Sequence, residues 1–252
     1  MKFYAHVKHW VTACLLLVVV AAGTFVAPTG SRTQNATPEK SLSAPRDLKV
    51  AVKMIGPVTQ TTELQIICVL KHNPAGDKYI EAMQDFNNKL GGVLSSLRER
   101  GEFVGEPGET LLFTPPAGSI TPKKVLLIGV GEESALSLDR LRLAGTIAAR
   151  EAVRLGMAHV SFAPTLRDQG SSRIDVGEGD AAVAASFLLA YDTELRLQEQ
   201  GLASGAKIGE FVIEAGPQYF AEAAEKVGAA VQSAAAALAR REAKPYRHTS
   251  AQ

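Results

Sequence analysis

The residues able to do chemistry in this chain are few and scattered. Ser204, Gly205, Ala206 and Lys207 spell S-x-x-K, a nucleophile motif that should open a helix and be followed by S-D-N and K-T-G partners. Here it leads into a strand-like stretch and neither partner occurs, so the match is read as chance. No G-x-S-x-G is present. His72, His159 and His248 lie far apart, without the H-E-x-x-H or C-x-x-C spacing that fixes a metal, so no metal site and no cofactor is expected. Cys68 sits inside the apolar run 64–70 and reads as a small buried hydrophobe rather than a reactive thiol. Gly129, Val130 and Gly131 follow a buried strand, where free amides near a helix start attract phosphate. The dinucleotide fingerprint is incomplete, since Ser134 stands three after Gly131, and Glu132 and Glu133 would repel an anion. A turn at the end of a strand is the plainer reading, with phosphate binding kept as the alternative.

The elements that position these residues centre on residues 123–163. Residues 125–130 are continuously apolar, as in a strand buried on both faces. Ser137 is placed to cap a helix, with Asp139 in its first turn. Leu141, Ala144, Ala148, Ala152 and Leu155 then share one helical face, and Gly156 stands where a C′ glycine ends a helix. Residues 158–163 form the next strand, so a parallel pair within an α/β domain is expected. Further strands are expected at 48–55, 64–70, 110–114 and 207–215. Helices are expected at 78–89, 93–100, 180–200 and 219–241, with a loop at 164–177.

These central residues carry a resemblance. The run from Lys123 to Gly156, K-K-V-L-L-I-G-V-G-E-E-S and L-D-R-L-R-L-A-G-T-I-A-A-R-E-A-V-R-L-G, resembles the N-terminal domain of the leucine (cytosol) aminopeptidase family. Phe103, Val104, Gly105, Glu106, Pro107 and Gly108 resemble its F-x-G-K-x-G segment, with Glu106 where lysine is usual. Further on the match thins. Ala184, Ala185 and Ser186 replace A-E-G, and of the following aromatic motif only Tyr191 remains. The resemblance implies a three-layer α/β/α fold with a mixed, largely parallel sheet, similar to macro domains, which often bind ADP-ribose. It also implies a possible role in assembly, because this domain contributes to a hexamer in the family. The family's metals and catalytic residues lie in a C-terminal domain marked N-T-D-A-E-G-R, and nothing here matches that motif.

The expectation is therefore a non-catalytic, stand-alone domain that acts in protein interaction or assembly. Its partners would be copies of itself or a separate catalytic aminopeptidase subunit. The alternatives are the regulatory part of a split metallo-aminopeptidase, or a macro-like binder of a small molecule or nucleotide at residues 129–134. The final helix, 219–241, is the candidate contact surface: its alanine-rich 234–238 run is either uncovered or packed on the domain's own sheet.

The ends and the composition bound this reading. The 252 residues carry a formal charge of +1, which argues against a nucleic-acid partner. Residues 1–27 form a signal peptide or an N-terminal anchor. Lys2 and Lys8 precede an apolar stretch that persists to Ala27, and cleavage after Gly23 fits better than after Ala27, which Pro28 follows. As an uncleaved anchor, residues 10–27 are at the short limit for spanning a bilayer. Either way the domain is expected outside the cytoplasm, periplasmic or secreted, or held at the membrane. Residues 28–46 read as a flexible linker containing the sequon Asn35, Ala36, Thr37. Residues 47–244 form the domain, and residues 245–252 a disordered tail.

Overall fold

The computed structural model describes residues 37–241 and 244–246. The expected signal or anchor, residues 28–36 of the linker, and residues 247–252 of the tail, His248 among them, lie outside the described residues. Among the described residues, no helix is long and apolar enough to cross a membrane.

Seven strands form one sheet. In chain order they are β1 (Glu39–Ser43), β2 (Lys49–Lys53), β3 (Leu64–Leu70), β4 (Thr110–Phe113), β5 (Lys124–Gly131), β6 (His159–Ala163) and β7 (Glu210–Glu214). The helices are α1 (Glu81–Lys89), α2 (Val93–Glu99), α3 (Leu138–Arg154), α4 (Val176–Glu199) and α5 (Phe220–Ala239). The spatial order of the strands is β1-β2-β7-β6-β3-β5-β4. The five inner strands are mutually parallel, and β1 and β4 close the edges antiparallel.

Side chains alternate across a strand, so a strand buried on both faces can feed two cores, as β3 and β5 do. Leu64, Ile66 and Cys68 of β3, with Phe211 and Ile213 of β7, pack under α3, α4 and α5. Ile67 and Val69 of β3, with Val125 and Leu127 of β5, pack under α1 and α2. The result is the expected three-layer α/β/α fold with a mixed, largely parallel sheet. Two buried faces explain why β3 and β5 read as unbroken apolar runs.

Several local expectations change. β5 and β6 are parallel but not adjacent, because β3 lies between them and pairs with both. Part of the stretch read as linker is strand β1, whose burial is slight. It forms through backbone pairing with β2 and through Glu39, which pairs with Lys49 at 3.0 Å and Lys53 at 3.4 Å. A charged, exposed edge strand gives no hydrophobic period to read. Ser137 occupies the N-cap of α3 but its side chain makes no capping hydrogen bond. The loop expected at 164–177 is shorter, because α4 starts at Val176 and is capped by the Asp175 carboxylate, which accepts from the Glu178 amide at 3.1 Å. The G-E-G sequence there looks like a helix breaker. It is instead a close approach: a Cβ on Gly179 would lie 3.0 Å from Leu141 Cδ1 of α3.

The apolar side of α5 is packed within the domain. Ala223, Val227, Val231, Ala234 and Leu238 are all buried, and α5 lies against α4, β2 and β1. Of the two alternatives for the 234–238 run, packing on the domain itself is the one realised.

Candidate ligand cavity at the strand ends

The carboxyl ends of the parallel strands are where open α/β sheets bind ligands. In this sheet two places at that edge differ sharply.

The first is the turn after β5. Residues 103–109 cross the end of β5 and use its backbone groups. The Gly129 amide donates to Glu109 O at 2.8 Å, the Gly131 amide to Gly105 O at 2.9 Å, and the Gly108 amide to Gly129 O at 2.9 Å. The approach is so close that a Cβ on Gly129 would sit 2.2 Å from Glu106 O. The crossing segment is itself wound around a carboxylate. Glu109 accepts from the amides of Val104, Gly105 and Glu106 at 3.1, 2.7 and 2.9 Å. Glu106 pairs with Lys71 at 3.0 Å, as does Glu132 at 3.2 Å. An internal carboxylate thus occupies the nest of amides, and the glycines serve packing. Within residues 129–134, the amides of Gly129 and Gly131 are taken up by the chain's own segment.

The second place is a cavity of about 710 Å³, a size typical of small-molecule sites. Its walls come from residues 54–57 after β2, 163–168 after β6 and 214–219 after β7, with the first turns of α4 behind. Glu81 and Ala82 of α1 close one side. Three carboxyl groups distinguish it. Asp180, in the second turn of α4, is fully buried, and neither of its oxygens has a hydrogen-bond partner in the protein. Burial is the main force that raises its pKa well above the usual range, and the charges of Asp175 and Glu222 add to it. Glu214, the last residue of β7, is 5% exposed. Its Oε1 accepts from the Ser161 hydroxyl at 2.5 Å, while Oε2 has no partner. Burial pushes its pKa up to about 7, against the opposing pull of Ser161 and Gln65. Register places Gln65, Ser161 and Glu214 on the same face of the sheet, a polar row crossing three strands. Asp168 is pushed up to about 6 by burial and by the neighbouring Glu81. Arg167 is the one basic residue of the lining, and its guanidinium lies 5.9 Å from the centre of the Tyr219 ring.

The remaining sequence candidates sit elsewhere. Ser204 and Lys207 lie in an irregular stretch before β7, with no helix. Cys68 is buried and unpaired among the described residues, and burial raises its thiol pKa. His72 Nδ1 meets Asp77 at 3.0 Å, and Asp77 in turn holds the buried Arg98, which donates to Leu70 O at 2.8 Å. That network ties the end of β3 to α2. His159 is exposed, 3.8 Å from Glu63. Among the described residues, no three His, Cys, Asp or Glu side chains group to hold a metal ion.

The sequence did not single out Asp168, Asp180 or Glu214. A signal existed for two of them. Glu214 closes the apolar run Phe211, Val212, Ile213, and Asp180 precedes the apolar run 181–185. A lone acid next to such a run marks a buried carboxyl that needs explanation.

Known proteins place this geometry. Residues 67–195 match the model of the cytosol aminopeptidase family, N-terminal domain. A probable cytosol aminopeptidase from Pseudomonas syringae pv. tomato is 32% identical over 101 residues, covering 40% of this chain and 19% of that protein. One from Halorhodospira halophila is 28% identical over 147 residues, covering 58% of this chain and 28% of that protein. The chain therefore spans less than a third of the length of these curated relatives. Among solved structures, a tomato leucine aminopeptidase mutant superposes with a TM-score of 0.56 at 20% identity, covering 81% of this chain and 39% of that one. An Oceanobacillus iheyensis macrodomain with ADP superposes with a TM-score of 0.53 at 11% identity, covering 78% of this chain and 98% of that one. At these identities the likeness is one of fold. The family match runs from inside β3 to near the end of α4, across half of the chain, and the chain belongs to the cytosol aminopeptidase family through its N-terminal domain.

Proposed function

We propose that this protein is an exported, non-catalytic member of its family whose domain binds a small molecule in the cavity after β2, β6 and β7. The observation that carries this reading is the cavity itself: about 710 Å³ at the carboxyl ends of the parallel strands, lined in part by Asp180, which has no hydrogen-bond partner, and Glu214, which leaves one oxygen unpaired. Leaving a buried carboxyl oxygen unpaired costs stability, and such costs are retained where a site needs them. The macrodomain solved with ADP adds a precedent for ligand binding on this fold. Export rests on the basic and then apolar segment at residues 1–27. The non-catalytic reading rests on the sequence matching only the family's N-terminal domain. Regulation of a separate catalytic aminopeptidase chain, or assembly with further copies, completes the proposal.

The test is a thermal-shift screen of the purified protein against nucleotides, amines, sugars and amino acids. A ligand that binds only the folded state raises Tm. Ala82→Trp, a substitution at a half-buried cavity wall, should abolish any shift that arises in the cavity. No shift with any class, or shifts indifferent to Ala82→Trp, would contradict the reading. Turnover of leucine-p-nitroanilide that follows the protein through purification would contradict its non-catalytic part.

A further inference from the structure

We propose that this protein forms a reversible twofold dimer in which β4, at one edge of the sheet, pairs antiparallel with β4 of a second copy. This rests on the assembly part of the reading above and supplies the surface.

The two edges of the sheet differ. An edge strand presents a row of unpaired N–H and C=O groups, and native edges are commonly blunted by charge. β1, with the sequence E-K-S-L-S, is blunted in this way. Glu39 and Lys40 are exposed, and Glu39 is paired with Lys49 and Lys53 of β2. β4, with the sequence T-L-L-F, carries no charge. Its Leu112 is 37% exposed, and Leu143 on α3 is 40% exposed. Leu112 lies opposite Leu126, a residue of the core under α3 and α4, so both leucines are on the same side of the sheet. Leu143 and Ile147 reach the segment that leads into β4: a Cβ on Gly108 would meet each of them at 3.7 Å. An apolar margin flanks the open edge.

The ladder decides which backbone groups are open. The Gly129 amide donates to Glu109 O. Alternate residues of an antiparallel strand turn their backbone groups the same way. Leu111 and Phe113 therefore turn theirs toward β5, while Thr110 and Leu112 turn theirs outward. Among the described residues, no turn or loop group is bonded to these outward groups. A twofold axis at Leu111 sets Thr110 of one copy opposite Leu112 of the other. Each such pair exchanges two hydrogen bonds, so all four outward groups of each copy find a partner. Leu111 then meets its own copy across the axis.

Three points select a second copy as the occupant. Self-pairing leaves none of the outward groups over. It brings no like charges together, because the strand has none. The residues that precede β1 lead into the opposite edge, six strand spacings or about 29 Å from β4. A four-residue edge is about 14 Å long, so the contact is smaller than a permanent dimer needs, and a Kd in the micromolar range or above is expected.

The experiment is sedimentation velocity of the purified protein from about 1 to about 300 µM, beside two edge variants. The expected result is a monomer–dimer equilibrium. Leu112→Lys puts a charge on the open edge of each copy and should raise Kd about tenfold or more, because the twofold counts each substitution twice. Ser41→Lys, at the β1 edge, should leave Kd unchanged. Both positions are exposed, and unfolding scans check that each variant keeps its fold. Register is read by oxidation. Leu111→Cys should give a disulfide-linked dimer, since the residue faces its own copy at a Cα spacing that a disulfide accepts, and Leu112→Cys should not. Cys68 is buried, and the oxidised parent chain is the control. A monomer across the whole range overturns the proposal and, with it, assembly with further copies. A dimer indifferent to Leu112→Lys, or equally weakened by Ser41→Lys, overturns this surface and leaves assembly standing. A disulfide through Leu112→Cys in place of Leu111→Cys overturns the pairing proposed.

Discussion

The turn after β5 and the crevice after β6 and β7 lie on the same edge of the same sheet, yet they solve the polar backbone problem in opposite ways. At the turn, residues 103–109 pair with the strand end, and Glu109 gathers three amides that nothing else would satisfy. At the crevice the strands open onto a cavity, and the acids beside it keep oxygens without partners. A region whose hydrogen bonds close internally is spending its residues on stability. A region that leaves buried acceptors unpaired is giving up stability, and the cavity beside them supplies a reason.

This contrast can be broken by substitution, beginning with the largest effect. Gly129→Ala places a methyl group where Glu106 O already lies, at 2.2 Å. Urea unfolding should show a loss of about 3 kcal/mol or more, since the crossing segment has to shift. A loss near zero would mean that the segment is not seated on β5 as described.

Next is the pH profile of stability at the crevice. Glu214 is raised from 4.5 to about 7, so the folded state keeps a proton that the unfolded state gives up. Its contribution is greatest below the unfolded pKa and is lost as pH climbs through about 7, the slope of stability with pH being negative in that window. The span corresponds to at most about 3 kcal/mol. Glu214→Gln should flatten this part of the profile and leave the protein more stable than the parent at about pH 8. An unchanged profile would show that Glu214 is solvated or paired after all.

Glu109→Ala, at the turn, strips three amides of their acceptor and should cost about 2 kcal/mol. Because Glu109 serves the closed region, the substitution should leave ligand binding at the crevice unaltered. The smallest effect is expected at Gly216, on the rim of the cavity. Its Cβ would meet Tyr219 Cδ2 at an ordinary 3.7 Å, so Gly216→Ala should stay within about 0.5 kcal/mol. Together with Gly129→Ala it asks the same question of two glycines at strand ends and expects opposite answers.

The sheet was legible because its inner strands are buried on both faces, and a run such as Leu64 to Leu70 announces that directly. The helices of the thick layer were legible by their period. What escaped did so for physical reasons. β1 is polar and half-solvated, so pairing with β2 defines it and composition does not. The start of α4 hid behind glycines that let neighbours approach, Glu222 and Lys226 at Gly177 and Leu141 at Gly179. The family's turn motif was legible as a motif but ambiguous in purpose: glycines that admit a phosphate and glycines that admit a neighbouring loop look alike in sequence. The cavity was invisible because its walls come from three strand ends and three helices far apart in the chain. Its acids are single residues whose meaning depends on burial, which one sequence does not display.

The most direct test of the contrast is an amide NMR titration of the isotopically labelled protein with a ligand that raises Tm in the thermal-shift screen. The account predicts shift changes confined to the crevice, at Asp168, Gly179, Ala215 and Gly216, with Gly105, Gly129 and Gly131 unmoved. Changes centred on residues 129–134 would contradict it and restore the turn as the binding place. No change anywhere at saturating ligand would show that the crevice does not receive it.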